Sequence, residues 1–213
     1  IGPTAAGKSQ LLALMAGLIL PTAGTIEMDG EPLASYQPAA LRAQMGVVFQ
    51  ESLLFQGTLR ENIAFSAAAT EESIMQAVRV AELETFVREL PQGLDTPIAE
   101  RASTLSGGQK QRLMLARALA GNPKVLLLDD FTARVDMQTE QRILKNIAEA
   151  YPELTIISVT QKMTAASAFD QVVLLMEGEV VASGSHEELM RSSPEYAQIV
   201  QSQQSLSSYE STH

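Results

Sequence analysis

Residues 2–9 read Gly2-Pro3-Thr4-Ala5-Ala6-Gly7-Lys8-Ser9 and match the pattern G-x-x-x-x-G-K-[ST]. A loop of this kind turns its backbone N–H groups toward phosphate oxygens at the point where a helix begins. Lys8 would reach the β- and γ-phosphates of a nucleotide, and the Ser9 hydroxyl would bind Mg²⁺. An ordinary glycine-containing turn before a helix is the alternative interpretation. The stretch therefore predicts a phosphate-binding loop at a strand-to-helix transition.

A second motif lies in the latter half of the chain. Val125–Leu128 is wholly apolar and ends in Asp129 and Asp130. Such a run is typical of a strand buried on both faces of a parallel sheet. Asp129 at its end is placed to hold a metal ion beside the phosphate loop, although a helix N-cap or a solvated strand end is the simpler alternative. Because the two motifs occur in the expected order, we predict binding of a nucleotide with Mg²⁺.

Composition excludes several other classes of protein. The chain has 213 residues with 15 Lys+Arg against 25 Asp+Glu, a net charge of −10, which argues against a nucleic-acid-binding protein. The absence of cysteine excludes disulfides and thiolate metal sites. Only His186 and His213 are present, so a multi-histidine metal site is not expected. The longest apolar stretch, Leu11–Leu20, is about half of what a membrane-spanning helix needs.

Local patterns predict strands and helices that alternate at both ends of the chain, with helices in the middle. We expect an α/β core at 1–50 and 122–200, a helical subdomain at 51–121 and a flexible tail at 201–213. Strands that precede the phosphate loop are expected to lie upstream of Ile1. The predicted helices lie at 10–20, 58–64, 71–82, 83–90, 106–120 and 137–150, and the predicted strands at 45–49, 125–128, 155–160, 171–176 and 179–182. A hairpin is predicted at 24–33, around Asp29-Gly30.

The motif Leu105-Ser106-Gly107-Gly108-Gln109 identifies the type of phosphate-loop protein. It resembles the signature motif of ATP-binding cassette (ABC) ATPases. Ser106 and the two glycines would open a helix whose N–H groups and hydroxyl face the γ-phosphate of a nucleotide held by another subunit. A capped helix start is the alternative. The resemblance implies a P-loop NTPase (RecA-like) α/β fold, with a parallel-sheet core, an inserted ABC helical subdomain and N-terminal strands missing.

Further segments resemble the exporter branch of this family. Gln50 resembles the Q-loop glutamine, which contacts Mg²⁺ and links to the membrane part of the transporter. Glu100-Arg101-Ala102 resembles the segment that contacts intracellular transmembrane loops, with Ala102 where the family has glycine. Ala133–Asp136 resembles the D-loop, usually Ser-Ala-Leu-Asp, and gives Asp136 that role. Thr58–Phe65 and Gly184–Leu189 also look exporter-like.

The resemblance assigns ATP and Mg²⁺ as cofactors. The residues it places at the nucleotide are Gly2, Pro3, Thr4, Ala5, Ala6, Gly7, Lys8, Ser9, Gln10, Gln50, Asp129 and Gln161, and those it places at the metal are Ser9, Gln50 and Asp129. The catalytic set would be Asp130, Gln161 and Gln50.

Three positions depart from the family pattern. Ala5 stands where glycine is usual, and it would be strained if this position requires a positive φ. Asp130 stands where a glutamate usually polarises the attacking water, so the carboxylate is withdrawn by one methylene. Gln161 stands where a histidine is expected, and glutamine cannot carry a proton. We therefore expect ATP to bind at this chain's own site but to be hydrolysed poorly.

The resulting interpretation is the ATPase domain of an ABC exporter at the cytoplasmic face of the cell membrane. Family ATPases pair head to tail, so the intact signature would complete the site of a second nucleotide-binding domain. A different chain is the favoured partner, and a transmembrane domain would contact the Gln50 and Glu100-Arg101 regions. The alternatives are a homodimeric exporter, an importer ATPase, a soluble non-transport ABC ATPase, or a nucleotide-sensing subunit without turnover.

Overall fold

A computed structural model describes residues 1–51, 53–66, 68–98 and 105–210. The helices are α1 (Lys8–Met15), α2 (Pro38–Gln44), α3 (Leu59–Ile63), α4 (Glu71–Val80), α5 (Glu84–Glu89), α6 (Gly107–Ala120), α7 (Met137–Ala150), α8 (Met163–Ala166), α9 (His186–Ser192) and α10 (Pro194–Glu210). The strands are β1 (Glu27–Met28), β2 (Glu31–Pro32), β3 (Met45–Val48), β4 (Gly57–Thr58), β5 (Pro97–Ile98), β6 (Val125–Asp129), β7 (Thr155–Val159), β8 (Val172–Met176) and β9 (Glu179–Gly184).

A three-stranded sheet with the order β3-β6-β7 carries the predicted buried strand at its centre. Strands β3 and β6 are parallel, with Met45 opposite Val125 and Val48 opposite Leu128. The inner residues of β6 are fully buried, as its unbroken apolar run predicted. Helix α6 packs closely on β3 at Gly46. A Cβ at this position would lie 2.8 Å from the carbonyl oxygen of Ala118, so only glycine leaves room for the helix. The described chain therefore has the predicted α/β layering.

The chain divides into two compact units, each with its own hydrophobic core. Residues 13–158 form one unit, and residues 1–12 with 159–213 form the other. We call them the central unit and the terminal unit. The core of the central unit includes Leu115, Leu126 and Phe131. The core of the terminal unit is built around Leu174 and Tyr196, both buried.

Capping residues fix the starts of α4 and α6, as the sequence predicted for both helices. Thr70 accepts a hydrogen bond from the N–H of Ser73, and Ser106 accepts one from the N–H of Gln109. Each pair forms a reciprocal capping box, which satisfies two N–H groups that the helix cannot bond itself. The predicted hairpin is also confirmed, since β1 and β2 pair antiparallel around Asp29 and Gly30, which have φ of 53° and 81°.

The first helix is shorter than predicted. It ends at Met15, so the prediction of a helix to Leu20 was wrong. Gly17 has a φ of 65°, its N–H donates to the Leu14 carbonyl, and the Leu18 N–H donates to the Ala13 carbonyl. This is a Schellman end, for which glycine is the preferred residue. Gly17 was the available signal, and the apolar run that continues to Leu20 obscured it.

The C-terminal segment is helical through Glu210, so α10 includes residues for which composition predicted a flexible tail. None of the helices formed by the described residues combines the length and the hydropathy that crossing a bilayer requires.

Candidate nucleotide-binding site

The phosphate loop is attached to the end of β8 in the terminal unit. The N-terminal amine of Ile1 donates to the Val173 carbonyl at 2.8 Å, and the Leu175 N–H donates to the Ile1 carbonyl at 2.9 Å. Ile1 therefore pairs with β8 as a strand residue would. The loop follows this pairing directly and leads into α1, which is the strand-to-helix transition that the motif predicted.

Glycine is required at the first position of the loop by a close backbone approach. Gly2 has a φ of 149°, and a Cβ there would lie 2.0 Å from the Leu175 carbonyl oxygen. Further along, the Gly178 N–H in the β8–β9 turn donates to the Ala6 carbonyl. The loop is thus anchored at two points on one hairpin, and a side chain at Gly2 would break the first of them.

The interior of the loop offers donors that suit an anion. Among the described residues, no hydrogen bond uses the backbone N–H of Thr4, Ala5 or Gly7. The Lys8 ammonium folds back over the loop and donates to the carbonyls of Gly2 and Pro3, at 2.8 and 2.6 Å. Unused N–H groups and a cation at the start of a helix can bind phosphate oxygens.

Ala5 has the positive φ at which a residue with a side chain was expected to be strained. Its φ is 63°, in the left-handed region. A residue with a Cβ loses about 1–2 kcal/mol there relative to the right-handed region, whereas glycine loses little. The substitution at this position therefore carries an energetic penalty within the loop itself.

The acidic pair lies at the end of β6, in the central unit. Asp129 is the last strand residue and is buried, with 6% of its surface exposed. Asp130 is half-buried and left-handed, with φ 47° and ψ 36°, and it precedes a 3₁₀ turn at Phe131–Arg134. Aspartate tolerates this conformation better than most residues because its short polar side chain can bond locally.

The signature motif is the capped start of α6, and it contacts the predicted D-loop. Ser106 and Gln109 form the capping box, so the capped-helix interpretation of this motif is confirmed. A Cβ on Gly107 would lie 3.2 Å from Cδ of Arg134, and one on Gly108 would lie 2.9 Å from the Arg134 carbonyl oxygen. The two glycines therefore let the turn at 131–134 lie directly against the helix start. Sequence reasoning missed this contact, which joins residues far apart along the chain.

Asp136 ends the same loop and caps α7. Its Oδ1 accepts a hydrogen bond from the Thr139 N–H at 2.9 Å. That backbone hydrogen bond lowers the pKa of the Asp136 carboxyl. Asp136, the predicted D-loop aspartate, is therefore held as a carboxylate by the helix that follows it.

The two glutamines of the predicted site lie in different units. Gln50 is exposed just after β3 in the central unit, and Gln161 is exposed just after β7 in the terminal unit. The side chain of Gln203, on α10, holds the backbone beside Gln161. It donates to the Gln161 carbonyl at 2.5 Å and accepts from the Met163 N–H at 2.9 Å. The composition of the C-terminal segment had indicated no such role.

The predicted site residues are therefore divided between the units. The terminal unit carries the phosphate loop and Gln161, and the central unit carries Gln50, Asp129, Asp130, the signature motif and Asp136. Glu100, Arg101 and Ala102 lie outside the described residues.

A glycine-rich loop anchored on a strand, together with an acidic pair at the end of a buried parallel strand, defines a nucleotide-binding protein of the phosphate-loop class. Comparison with known proteins agrees with this class and narrows it. The chain belongs to the ABC transporter family, whose profile matches residues 1–133.

Two relatives and one solved structure illustrate the similarity. The uncharacterized ABC transporter ATP-binding protein YfiB of Bacillus subtilis is 42% identical over 204 residues, which cover 95% of this chain and 35% of that protein. A multidrug resistance ABC transporter ATP-binding and permease protein of Lactococcus lactis is 34% identical, with the same coverage of both chains. The structure of a bacterial Atm1-family ABC exporter with ATP bound superposes with a TM-score of 0.90 at 36% identity, and the match covers 95% of this chain and 36% of that one.

These matches confirm the predicted fold, an α/β phosphate-loop core of the ABC type, and the predicted class, an ATP-binding domain of the ABC transporter family. The chain spans 35% of the length of both relatives, which are correspondingly longer proteins.

Proposed function

We propose that this chain is the ATPase domain of an ABC exporter, working at the cytoplasmic face of a membrane as one member of a head-to-tail pair. Two similarities support an exporter. One is the superposition on an Atm1-family exporter, and the other is the Lactococcus relative named for multidrug resistance, which combines ATP-binding and permease parts. Nucleotide-driven closure of the pair would drive the membrane part, provided that its two states bind ATP differently.

The observation that carries the asymmetric form of this proposal is the contrast between an intact signature motif and two substituted catalytic positions. Leu105–Gln109 matches the family pattern, and Ser106 caps α6. Asp130 and Gln161 stand where the family has glutamate and histidine. We infer that this chain holds ATP with little turnover and activates the nucleotide of a different partner chain. A homodimer would weaken both of its sites equally.

Mg²⁺ fits the donor set that the proposal assigns to it. Ser9, Gln50 and Asp129 offer hydroxyl, amide and carboxylate oxygens, the hard donors that Mg²⁺ prefers. When bound there, the metal would supply positive charge that offsets the charge developing on the transferred phosphoryl group. Lys8 and the loop N–H groups would orient the phosphates, and the Asp130 carboxylate, shorter by one methylene than that of glutamate, would position the attacking water poorly. Gln50 and the Glu100-Arg101 region are the proposed contacts with the transmembrane domain.

The test compares ATP binding with ATP hydrolysis in the complete polypeptide. We expect binding of Mg²⁺-ATP with slow single-turnover hydrolysis. Asp130→Glu together with Gln161→His should raise the single-turnover rate by about 10²-fold, the lower end of what a positioned base contributes. Asp130→Asn should change the slow rate little.

The matched control is Gln198→Ala, a substitution on an exposed face of α10 that should leave both measurements unchanged. Brisk hydrolysis by the unchanged chain, abolished in Asp130→Asn, would show that aspartate is an adequate base. The homodimeric exporter would then be the better account.

A further inference from the structure

Arg117 lies on α6, the helix that begins with the signature motif, and it bonds to a single distant segment. Its guanidinium donates to the Asn62 carbonyl at 2.6 Å, to Oδ1 of Asn62 at 2.8 Å and to the Leu53 carbonyl at 2.9 Å. Three directional bonds from one planar group fix both distance and orientation, which the single ammonium of a lysine does not do.

Asn62 completes this arrangement from within the segment. It is 1% exposed, its Nδ2 donates to the carbonyls of Phe55 and Thr58, and its Oδ1 accepts from the Phe55 N–H. The Asn62 amide thereby holds the backbone at Phe55 and Thr58 against α3, while Arg117 joins Leu53 and Asn62 to α6. We call this pair of side chains the Arg117–Asn62 clasp.

The clasp holds the chain just after Gln50. On the near side of Gln50, Gln111 of α6 donates to the Phe49 carbonyl at 3.4 Å. On the far side, Arg117 holds Leu53 and Asn62. Helix α6 therefore supports the backbone on both sides of Gln50, and the same helix presents Ser106 at its start.

Packing alone does not account for a charged residue here. Among the described residues no carboxylate pairs with Arg117, and burial lowers its pKa to about 10. The guanidinium instead lies over the stacked rings of Phe55 and Phe65, 5.1 and 5.3 Å from their centroids. Burying a charged guanidinium costs more free energy than burying an apolar side chain of similar volume. What Arg117 provides and an apolar residue could not is its set of directional hydrogen bonds.

We propose that Arg117 and Asn62 are positioning residues for the ATPase reaction, which make the segment carrying Gln50 and the signature helix move as one body. This inference rests on the proposed function, because Gln50 must contact the nucleotide-bound metal for the linkage to matter. Binding of Mg²⁺-ATP at the phosphate loop would then alter residues 53–62 and α6 together. Arg117→Lys keeps the charge but removes the planar guanidinium with its several donors, so the response of residues 53–62 should be uncoupled from that of α6.

The experiment uses hydrogen exchange of the amides at 53–62 in the complete polypeptide, with and without Mg²⁺-ATP, beside a direct measurement of ATP binding. In the unchanged protein we expect Mg²⁺-ATP to slow this exchange. In Arg117→Lys we expect the affinity for ATP to be unchanged. Amide exchange at 53–62 should be about tenfold faster, as expected for the loss of one hydrogen bond. Adding Mg²⁺-ATP should then no longer slow this exchange. A merely structural role would accelerate exchange but preserve the response to nucleotide.

Arg112→Lys is the matched control. Arg112 is also a partly buried arginine of α6, but it bonds to the carbonyls of Glu82 and Gly108 rather than to residues 49–62. We expect this variant to keep the nucleotide response. Asn62→Ala is the second test if Arg117→Lys does not fold, because it removes the side-chain half of the clasp without adding a charge and leaves the Asn62 carbonyl as an acceptor for Arg117.

Each outcome decides between named alternatives. If the unchanged protein binds no Mg²⁺-ATP, the proposed function fails and this inference fails with it. If it binds but residues 53–62 do not respond, or if Arg117→Lys still responds, the clasp does not position the reaction and the proposed function is untouched. Equal loss of response in Arg112→Lys would also overturn the inference, since any disturbance of α6 would then suffice.

Discussion

Ala5 places a side chain where the phosphate loop needs a left-handed residue. Its φ of 63° is kept although glycine would adopt it at lower cost. The surrounding backbone imposes this geometry, because the Ala6 carbonyl is held by Gly178 and Gly2 lies against the Leu175 carbonyl. The loop therefore keeps its conformation although Ala5 is strained in it, and the strain at Ala5 should be measurable as a loss of stability.

Ala5→Gly should stabilise the protein. Removing the Cβ relieves the left-handed strain, which we expect to raise the free energy of unfolding by roughly 1 kcal/mol after the added flexibility of the unfolded chain is counted. Urea unfolding with an unchanged m value measures this difference. Ala6→Gly is the control: Ala6 is buried and has no positive φ, so that variant should be destabilised. A loss of stability in both would disprove strain at Ala5.

At the scale of elements, α6 is the helix on which several predicted motifs converge. Its start packs on the turn at Phe131–Arg134, its middle reaches Phe49 through Gln111, and Arg117 near its end reaches Asn62. The glycines at its start have a packing role in addition to the nucleotide role proposed for them. At Gly108 the neighbouring atom is a backbone oxygen, which cannot move aside as a side chain can.

Gly108→Ala should therefore disturb the turn that leads to the D-loop. The new Cβ would lie 2.9 Å from the Arg134 carbonyl oxygen, so the turn must shift. We expect a loss of about 1–3 kcal/mol in the free energy of unfolding, typical of overpacking, and faster hydrogen exchange at 131–136. Gly107→Ala is the paired variant, because its new Cβ would meet only side-chain atoms of Arg134, the nearest being Cδ at 3.2 Å. Equal losses in the two variants would contradict a backbone contact.

At the scale of the whole molecule, the proposed assembly gives the motifs of the chain different tasks. The signature motif would serve the partner's nucleotide, and the phosphate loop would hold this chain's own. The net charge of −10 disfavours contact with nucleic acid. The division is testable only when both chains are present.

Mixing this chain with a partner domain that has glutamate and histidine at the corresponding positions should give ATP hydrolysis that depends on Ser106. Ser106→Ala in this chain should reduce the steady-state rate of the mixture by about 10²-fold, the effect of losing one transition-state donor. Asp130→Asn in this chain should leave that rate little changed. Thr70→Ala removes an equivalent capping box from α4 and controls for helix destabilisation. A rate that follows Asp130 rather than Ser106 would refute the asymmetric assembly.

Much of the fold follows from local signals. Capping boxes at Thr70 and Ser106, the Asp29-Gly30 turn and the apolar run of β6 depend on neighbouring residues, so a single sequence shows them. The end of α1 was mispredicted although Gly17 marked it, because an apolar run past a helix end looks like more helix.

The sequence by itself determined the phosphate-loop pattern, the acidic strand end and the Leu105–Gln109 motif, since each is a pattern of residue types at fixed spacing. The departures at Asp130 and Gln161 follow from the resemblance to ABC ATPases. Only the tertiary structure decided that Ala5 is left-handed, that Arg134 lies against the signature glycines, and that Arg117 and Gln203 hold the segments beside Gln50 and Gln161. These features join residues distant along the chain, or depend on backbone imposed by such contacts. Spacing along one sequence carries no information about which distant backbone a side chain will meet.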